Sequence, residues 1–575
     1  MATLHRSFLQ IQYPSRVTLR NRLMGKTQEK SQSVTGFSKK DITNSSFLGG
    51  LLLLLCASMF YYFAVLRIDY QKTALPDLAP HPDATEYFAQ AKALSRGKWP
   101  SIQIGTEKLP SRYPPGYPAL MLPWLKILPQ AHSVLAPFRT NQTIGLLLLL
   151  AIFVFYIYLA MPLTGGFAVL LLATLPSFFT FCRSSLSELS VSLFIVLAFM
   201  FAYLGVKEER RWKVYLSAVL LGLSLNIRIQ SLFFAPLLLV MAMLPTRGMR
   251  LRWLLHCAAV PIVFLTAASP ILVLNTIKFG SPLKTGYDFW VPYFSEKHVF
   301  FSFHYVLGNA GELWRQLTLQ PHSYDAVDIF GTGTSFVVAF VLLSCVGTLF
   351  VRPSWFSCCA FIAWLFPFLA GLCFVFGSDG RLYVPLFIIM VSVAVLPVAW
   401  AVNNFFAGRR SVFALAVLVL FAAACLGYPS RSGHKSRNIN RSQAWDALHF
   451  NTSPREPIQF VAQRYFGSRF QGEPGIVLSD IDPVYLNALL PRGFVAAPID
   501  ENHHYKWSHT WRYDRPQALA LVQRGLIQSL PIYALFVSTQ EMQEKTRRLP
   551  RVDGYDWHLV DSSAEAAILR LAPTS

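Results

Sequence analysis

The sequence predicts an α-helical polytopic membrane protein of about eleven transmembrane helices, with a small extracytoplasmic α/β domain at its C-terminus. Three observations carry this. Of the 575 residues, 53% are hydrophobic and 14% charged, and the mean hydropathy is +0.40. Apolar runs of roughly 16 to 24 residues recur, the length a helix needs to cross a bilayer. Late in the chain the runs shorten, and strand and helix patterns alternate. The net charge of +21 lies mostly in the N-terminal tail and in short loops between apolar runs. That is the pattern of membrane orientation, so nucleic acid is not expected as a partner.

In chain order, residues 1–46 form a polar, basic tail with Arg6, Arg16, Arg20, Arg22, Lys26, Lys30, Lys39 and Lys40. It is expected to be mostly disordered and cytoplasmic, with no cleavable signal peptide. The transmembrane domain covers 47–428 and opens with a span at 47–67. Further spans are expected near 140–162, 164–182, 185–206, 213–227, 229–245, 251–275, 331–351, 355–377, 383–405 and 411–428. This count places inside the short turn near Thr164, the loops 207–213 (KEERRWK) and 246–252 (TRGMRLR), the turn at Arg352 and 408–410 (GRR). Apart from the first turn, each carries Lys or Arg, as the positive-inside rule requires. A further crossing at 118–128 would invert the later loops. That run is short, holds Pro123 and Lys126, and reads as an interfacial or re-entrant helix. Outside lie the loops 68–139 and 276–330, the turn 378–382 and everything from 429. All eight cysteines (Cys56, Cys182, Cys257, Cys345, Cys358, Cys359, Cys373, Cys425) fall in apolar runs, so neither a disulfide framework nor a CxxC metal pattern is present.

A basic linker over 429–470 leads into the α/β domain, 471–575. GIVLSD (475–480) reads as a strand, followed by a helix that Asp482 caps and Pro483 starts. IYALFVS (532–538) is a second strand. Ser538 and Glu541 form a capping box for a helix that ends on Lys545, Arg547 and Arg548. YDWHLVD and AAILRLA read as a terminal strand pair.

Ionisable groups at membrane depth are costly, so each is a functional candidate. The topology gathers several at the outer face: Asp83 and Glu86 from the first loop, Arg183 and Glu188 at one span end, Arg228 in a hairpin turn, and Asp379 with Arg381 before a later span. Bland readings stand beside the functional ones. Asp-Ala-Thr-Glu at 83–86 is a helix-capping pattern. Arg228 fits a snorkelling turn residue, and Glu188 fits half of a helix-orienting ion pair. His503, His504 and His509 match no zinc spacing.

Five segments together carry a resemblance. They are PDATEYFAQAKAL, RYPPGYPALMLP, SSLSELSVSLF, NTIKFGSPLKTGY and RLYVP. In this order, and on this topology, the chain resembles the GT-C superfamily of polyprenyl-phosphate-sugar-dependent glycosyltransferases. The bacterial branch similar to dolichyl-phosphate-mannose protein mannosyltransferases and lipid A aminoarabinose transferase fits best. The last segment departs from the usual pattern, with Leu382 where an aromatic is common. The resemblance implies a hexosyl- or pentosyltransferase that acts with inversion at the outer face of the cell inner (plasma) membrane. Its C-terminal domain would be periplasmic.

Residue by residue, the resemblance makes Asp83 the general base on an acceptor hydroxyl and Glu188 the second membrane acid. Arg112, four residues before Gly116, would contact the donor phosphate, with Lys108, Arg228 and Arg381 as further cations. Glu86, Tyr87, Tyr113, Tyr117 and Arg183 would support them. No metal or other cofactor is expected, since the first loop has no Asp-x-Asp. The partners implied are a polyprenyl-phosphate sugar, an envelope glycolipid, polysaccharide or protein as acceptor, and membrane lipids. The competing readings are a multi-pass transporter or flippase with an outer accessory domain and a non-catalytic envelope scaffold.

Overall fold

A computed structural model describes residues 44–67, 82–242, 250–318, 365–405 and 474–574, apart from 503, 537–541 and 563–565, together with 78, 462, 465 and 466. The basic tail, the expected spans at 331–351 and 411–428, the Ser538–Glu541 capping box and nearly all of the linker lie outside the described residues.

The membrane half begins with α1 (Asn44–Tyr61), which continues as a π-helical turn to Leu66. After it come α2 (Asp83–Ser95), the hairpin β1 (Ile102–Ile104) and β2 (Glu107–Leu109), then α3 (Gly116–Leu120) and α4 (Leu122–Ile127). The last two are helices of five and six residues, too short to cross a bilayer. The bundle continues with α5 (Ala136–Tyr158), α6 (Pro162–Thr174), α7 (Pro176–Cys182), α8 (Glu188–Lys207) and α9 (Arg211–Leu225). The single span expected at 164–182 is divided, because Leu175, held extended before Pro176, ends α6. The span expected at 229–245 is also divided. A 3-10 run, Ile229–Phe234, precedes Pro236, and α10 (Leu237–Ala242) follows. Proline has no N–H to extend the ladder from the preceding turn.

Next comes α11 (Arg250–Phe279), which runs beyond its expected end at 275. The loop after it folds into α12 (Gly286–Trp290), α13 (Tyr293–Glu296) and α14 (Tyr305–Thr318), and α15 (Val384–Phe405) closes the described bundle. Four described helices, Ser46–Leu66, His132–Tyr158, Glu188–Lys207 and Trp253–Phe279, are long and apolar enough to cross a membrane. Leu52, Leu55, Leu146, Leu150, Ile262 and Leu265 stand exposed along them, a surface suited to lipid. Inside the bundle, Leu148, Ile152, Val169, Leu172, Leu189, Ile195, Val214, Phe387 and Val391 form one buried core. Small residues let α1 and α6 pack backbone to backbone: a side-chain carbon at Gly50 would lie 2.4 Å from the Pro162 carbonyl oxygen.

One side chain knits α9 to α11. Pro270 lies inside α11 and leaves the Thr266 carbonyl without its helical donor, and Ser269 Oγ donates to it instead at 2.8 Å. One residue on, the Asn226 amide sits between the Ile271 N–H and the Ala267 carbonyl, at 2.9 Å from each. A side chain inserted into the ladder is a standard cause of a bend.

The C-terminal part contains β3 (Gly475–Ser479), α16 (Pro483–Leu489), β4 (Phe494–Pro498), α17 (Arg515–Ile527), β5 (Ile532–Phe536), α18 (Met542–Arg548), β6 (Tyr555–Ser562) and β7 (Ala567–Pro573). They build one sheet in the order β4-β3-β5-β7-β6, parallel across β4, β3 and β5, with β7 antiparallel to both neighbours. β3 and β5 are buried along their whole length, as strands covered on both faces must be. Asp482 caps α16, accepting from the Val484 and Tyr485 N–H groups at 2.9 and 3.0 Å.

This part rests on the loop between α1 and α5. Ala84 and Phe88 of α2 share a core with Val477, Tyr485, Leu486 and Tyr533. The hairpin tip attaches to edge strand β4, where Gly105 N–H donates to the Ala496 carbonyl at 2.7 Å and Asn487 Nδ2 reaches both Gln103 and Ala496.

Candidate functional site

The start of α2 presents two acids, and neither caps the helix. Pro82 is the residue at the cap position, with no side-chain hydrogen bond there. Asp83 Oδ1 accepts from the Tyr113 hydroxyl at 2.5 Å, and Oδ2 accepts from the Arg381 guanidinium at 3.0 Å. The capping pattern at 83–86 is therefore not used as one. What remains of it is the first-turn position itself, where the helix dipole favours a negative charge.

Glu86 is fully buried. It accepts from Ser111 Oγ at 2.7 Å, from the Arg112 N–H at 2.8 Å and from the Arg112 guanidinium. Burial pushes the Glu86 carboxyl up from its ordinary value, and the Arg112 charge and these donors oppose it. Burial disfavours the charged form of the Arg112 guanidinium most strongly, but the Glu86 charge together with Tyr113, Tyr505 and Tyr287 outweighs it and holds the group protonated. Its second arm donates to the His504 carbonyl of the C-terminal part, and it lies 5.0 Å from the Trp290 ring and 4.9 Å from that of Tyr505.

Arg381 sits in a 3-10 turn, Gly380–Tyr383, that Asp379 caps by accepting the Arg381 N–H at 3.0 Å. Arg381 Nε also donates to Asp379 at 2.8 Å. Burial would raise the Asp379 carboxyl, but the Arg381 guanidinium holds it below its ordinary value. Arg381 thus bridges two carboxylates, Asp83 and Asp379.

Glu188, 1% exposed, opens α8 and pairs with Arg228 at 2.5 Å. Its other oxygen, Oε2, is buried with no hydrogen-bond partner among the described residues. Tyr87 joins this corner to α2 through its hydroxyl, 2.9 Å from Ser187 Oγ. A tyrosine cluster fills the space between: Tyr87 lies 4.8 Å from Tyr113 and 5.1 Å from Tyr117, and Tyr113 lies 5.8 Å from Tyr287. Gly116 fixes the Pro-rich turn, since its N–H donates to the Asn226 carbonyl at 2.7 Å. A side-chain carbon there would approach that oxygen to 2.3 Å.

These elements surround a cleft lined by Tyr87, Gln90, Ser111, Arg112, Tyr113, Arg228, Asn275, Lys278 and Tyr287 among others. Asp83 stands behind Tyr113, one hydrogen bond from the lining. Lys278 Nζ donates to the Pro100 carbonyl, so it brings a positive charge to the cleft with an uncharged partner. Of the sequence candidates, Tyr87, Arg112, Tyr113 and Arg228 line the cleft, and Asp83, Glu86, Glu188 and Arg381 contact those residues or one another. Tyr117 is buried in the tyrosine cluster, with its hydroxyl 3.3 Å from the Pro137 carbonyl. Lys108 is exposed on β2, opposite Gln103, and Arg183 is buried between α7 and α8; neither lines the cleft. Asp482 caps α16 while Asp480 pairs with Lys545 at 2.6 Å.

Sequence reasoning singles out no Lys278, Asn275 or Gln90. The signal for the first two was the segment NTIKFGSPLKTGY, which places Asn275 and Lys278 three apart at the outer end of a span. Gln90 lies one helical turn after Glu86, on the same face of α2.

No protein-family model matches the chain, and no curated protein sequence matches it. Solved structures do. ArnT from Cupriavidus metallidurans bound to undecaprenyl phosphate is similar at a TM-score of 0.58 and 14% identity, over 90% of this chain and 97% of that one. The apo state of the same enzyme gives 0.57 and 13%, with the same coverage. An oligosaccharyltransferase from Archaeoglobus fulgidus in the apo form gives 0.50 and 12%, over 91% of this chain and 74% of that one. At such identities the likeness is one of fold, shared with ArnT and with the archaeal oligosaccharyltransferase.

Proposed function

We propose that this protein is an integral-membrane glycosyltransferase. It would move a sugar from a polyprenyl-phosphate donor to an acceptor hydroxyl at the extracytoplasmic face, with inversion. The observation that carries the reading is the cleft, lined by Arg228 and Lys278, with an Asp83 carboxylate oriented by two donors and joined by a hydrogen bond to the lining residue Tyr113. The fold is shared with an ArnT structure that contains undecaprenyl phosphate.

The chemistry follows from the charges. An acceptor O–H gives its proton to Asp83 while its oxygen bonds to the anomeric carbon. The bond from that carbon to the phosphate oxygen breaks, and its electron pair leaves with the phosphate. A carboxylate has about four acceptor positions. Tyr113 and Arg381 occupy two of them at Asp83, which leaves capacity for a substrate hydroxyl. The leaving phosphate gains negative charge, so fixed cations at its position lower the barrier. Arg228 and Lys278 have that role in this reading. Glu188 holds Arg228 in place, and Arg381 orients Asp83. Positive charge from side chains suffices for a phosphate leaving group, so no metal is required, and transfer should survive a chelator.

The test uses the full chain in lipid vesicles with polyprenyl-phosphate sugars, alongside mass spectrometry of envelope glycolipids from cells with and without the protein. One sugar should be missing without it. Asp83→Asn should lower turnover by about 10²- to 10⁴-fold, the usual contribution of general acid–base catalysis, at unchanged protein level. Full retention of transfer would remove Asp83 as the base. Movement of a lipid across the bilayer that ignores Asp83→Asn, with no transfer, would favour a flippase.

A further inference from the structure

We infer that Arg112 is a positioning residue, which latches the C-terminal sheet to the catalytic loop and thereby sets Tyr113 against Asp83, rather than a ligand of the donor phosphate. Arg112 itself lines the cleft, but Glu86, His504, Trp290 and Tyr505, the partners of its guanidinium, do not. The charged head therefore turns away from the cleft. One arm is ion-paired with fully buried Glu86, and the other donates to a backbone carbonyl of the C-terminal part. Turning the head to a phosphate would strand a buried carboxylate, which is strongly unfavourable.

Three separate segments meet on this side chain. Trp290 comes from the second outer loop and Tyr505 from the C-terminal part, and their rings stand 5.1 Å apart against the same guanidinium. Aromatic faces attract a cation strongly when water is excluded. Trp290 Nε1 also donates to the Pro110 carbonyl at 2.7 Å. A side-chain carbon at Gly286 would lie 2.0 Å from the Ser111 carbonyl oxygen, so the second loop lies flush on the same stretch.

The stretch 110–113 is thus fixed from three sides, and its last residue carries the hydroxyl that orients Asp83. Glu86 fastens its middle: Ser111 Oγ accepts from Gln90 and from the Tyr113 N–H while donating to Glu86. The C-terminal sheet in this way becomes part of the catalytic geometry without supplying a group to the cleft.

The kinetic arm of the test rests on the transferase reading, and the exchange arm does not. Arg112→Met, Tyr505→Ala and Tyr505→Phe are compared with the wild type in the full chain. Misplacement of a catalytic group by about 1 Å costs about 10²-fold in rate. Arg112→Met and Tyr505→Ala should therefore lower kcat by about that factor while the donor KM moves by less than about threefold. Amide exchange across 504–511 and 110–113 should quicken in both. Tyr505→Phe keeps the ring and should restore the wild-type kinetics and exchange, which a loss of fold would not allow. A donor KM raised by about tenfold or more in Arg112→Met, with exchange unchanged, would make Arg112 a phosphate ligand and overturn the latch. Wild-type behaviour of Tyr505→Ala in both arms would overturn it as well, and this pair decides should Arg112→Met not accumulate. Absence of transfer by the wild type would count against the transferase reading alone, with exchange still deciding the latch.

Discussion

At the scale of single residues, the site is made by pairs rather than by isolated charges. Asp83 is held by Tyr113 and Arg381, Glu86 by Arg112 and Ser111, and Glu188 by Arg228. A buried pair broken on one side leaves its partner charge stranded. Arg228→Gln should therefore destabilise the chain by about 3–5 kcal/mol, and Glu188→Gln made in the same chain should recover much of that loss. Thermal unfolding of the two single variants and the double variant measures the coupling. Lys92, on α2, gives a test by pH. Burial, reinforced by the Arg96 charge, lowers its ammonium from an ordinary 10.5 to about 8. Between these values the unfolded chain holds a proton that the folded chain has shed, so this group makes stability rise with pH across that window. Below it, the folded chain carries a charge it does not favour. Lys92→Met should raise the thermal midpoint near pH 7 and lose most of that gain by about pH 10.

At the scale of elements, the cleft depends on turns and bends more than on helix interiors. The Pro-rich turn ends on Gly116, whose backbone touches the Asn226 carbonyl. Gly116→Ala should cost about 1–3 kcal/mol, as overpacking does, and should lower transfer with it, because Tyr113 and Tyr117 flank that turn. Parallel measurements of unfolding and of turnover check both halves. The helices also break at Leu175–Pro176 and before Pro236; Leu175 is fully buried, and irregular backbone at membrane depth is tolerated where it lines protein.

At the scale of the whole molecule, the membrane bundle and the C-terminal sheet share a core through α2. Phe88 is fully buried among Val477, Tyr485 and Leu486. Phe88→Ala should cost about 3–5 kcal/mol and divide thermal unfolding into two steps, the sheet separating first; calorimetry with limited proteolysis reads this. Hydrophobic run length shows where α1, α5, α8 and α11 lie, and alternation with cap signals finds β3, β5 and the Asp482 cap. Less legible was the matching of acids to bases. Glu86 reads as part of a capping box because Asp and Thr precede it, yet its partner lies 26 positions away. Arg112 reads as a cation free for a ligand because local sequence shows no acid beside it. Lys278 is hidden at a helix end whose position shifts by a few residues. Such pairings are set by long-range packing, to which periodicity is blind.

The amide inserted into α11 has a consequence for size. Ile271, Leu274, Asn275 and Lys278 all line the cleft, and all lie in the stretch of α11 that follows Pro270. The same residue, Asn226, holds the opposite wall through its own carbonyl and Gly116. One residue therefore acts as a gauge block, tied by its side chain to α11 and by its backbone to the Pro-rich turn. Were that amide removed, the tie from Gly116 to the Asn226 carbonyl would remain while the tie from Asn226 to α11 would be lost, so the spacing of the two walls would no longer rest on a single residue.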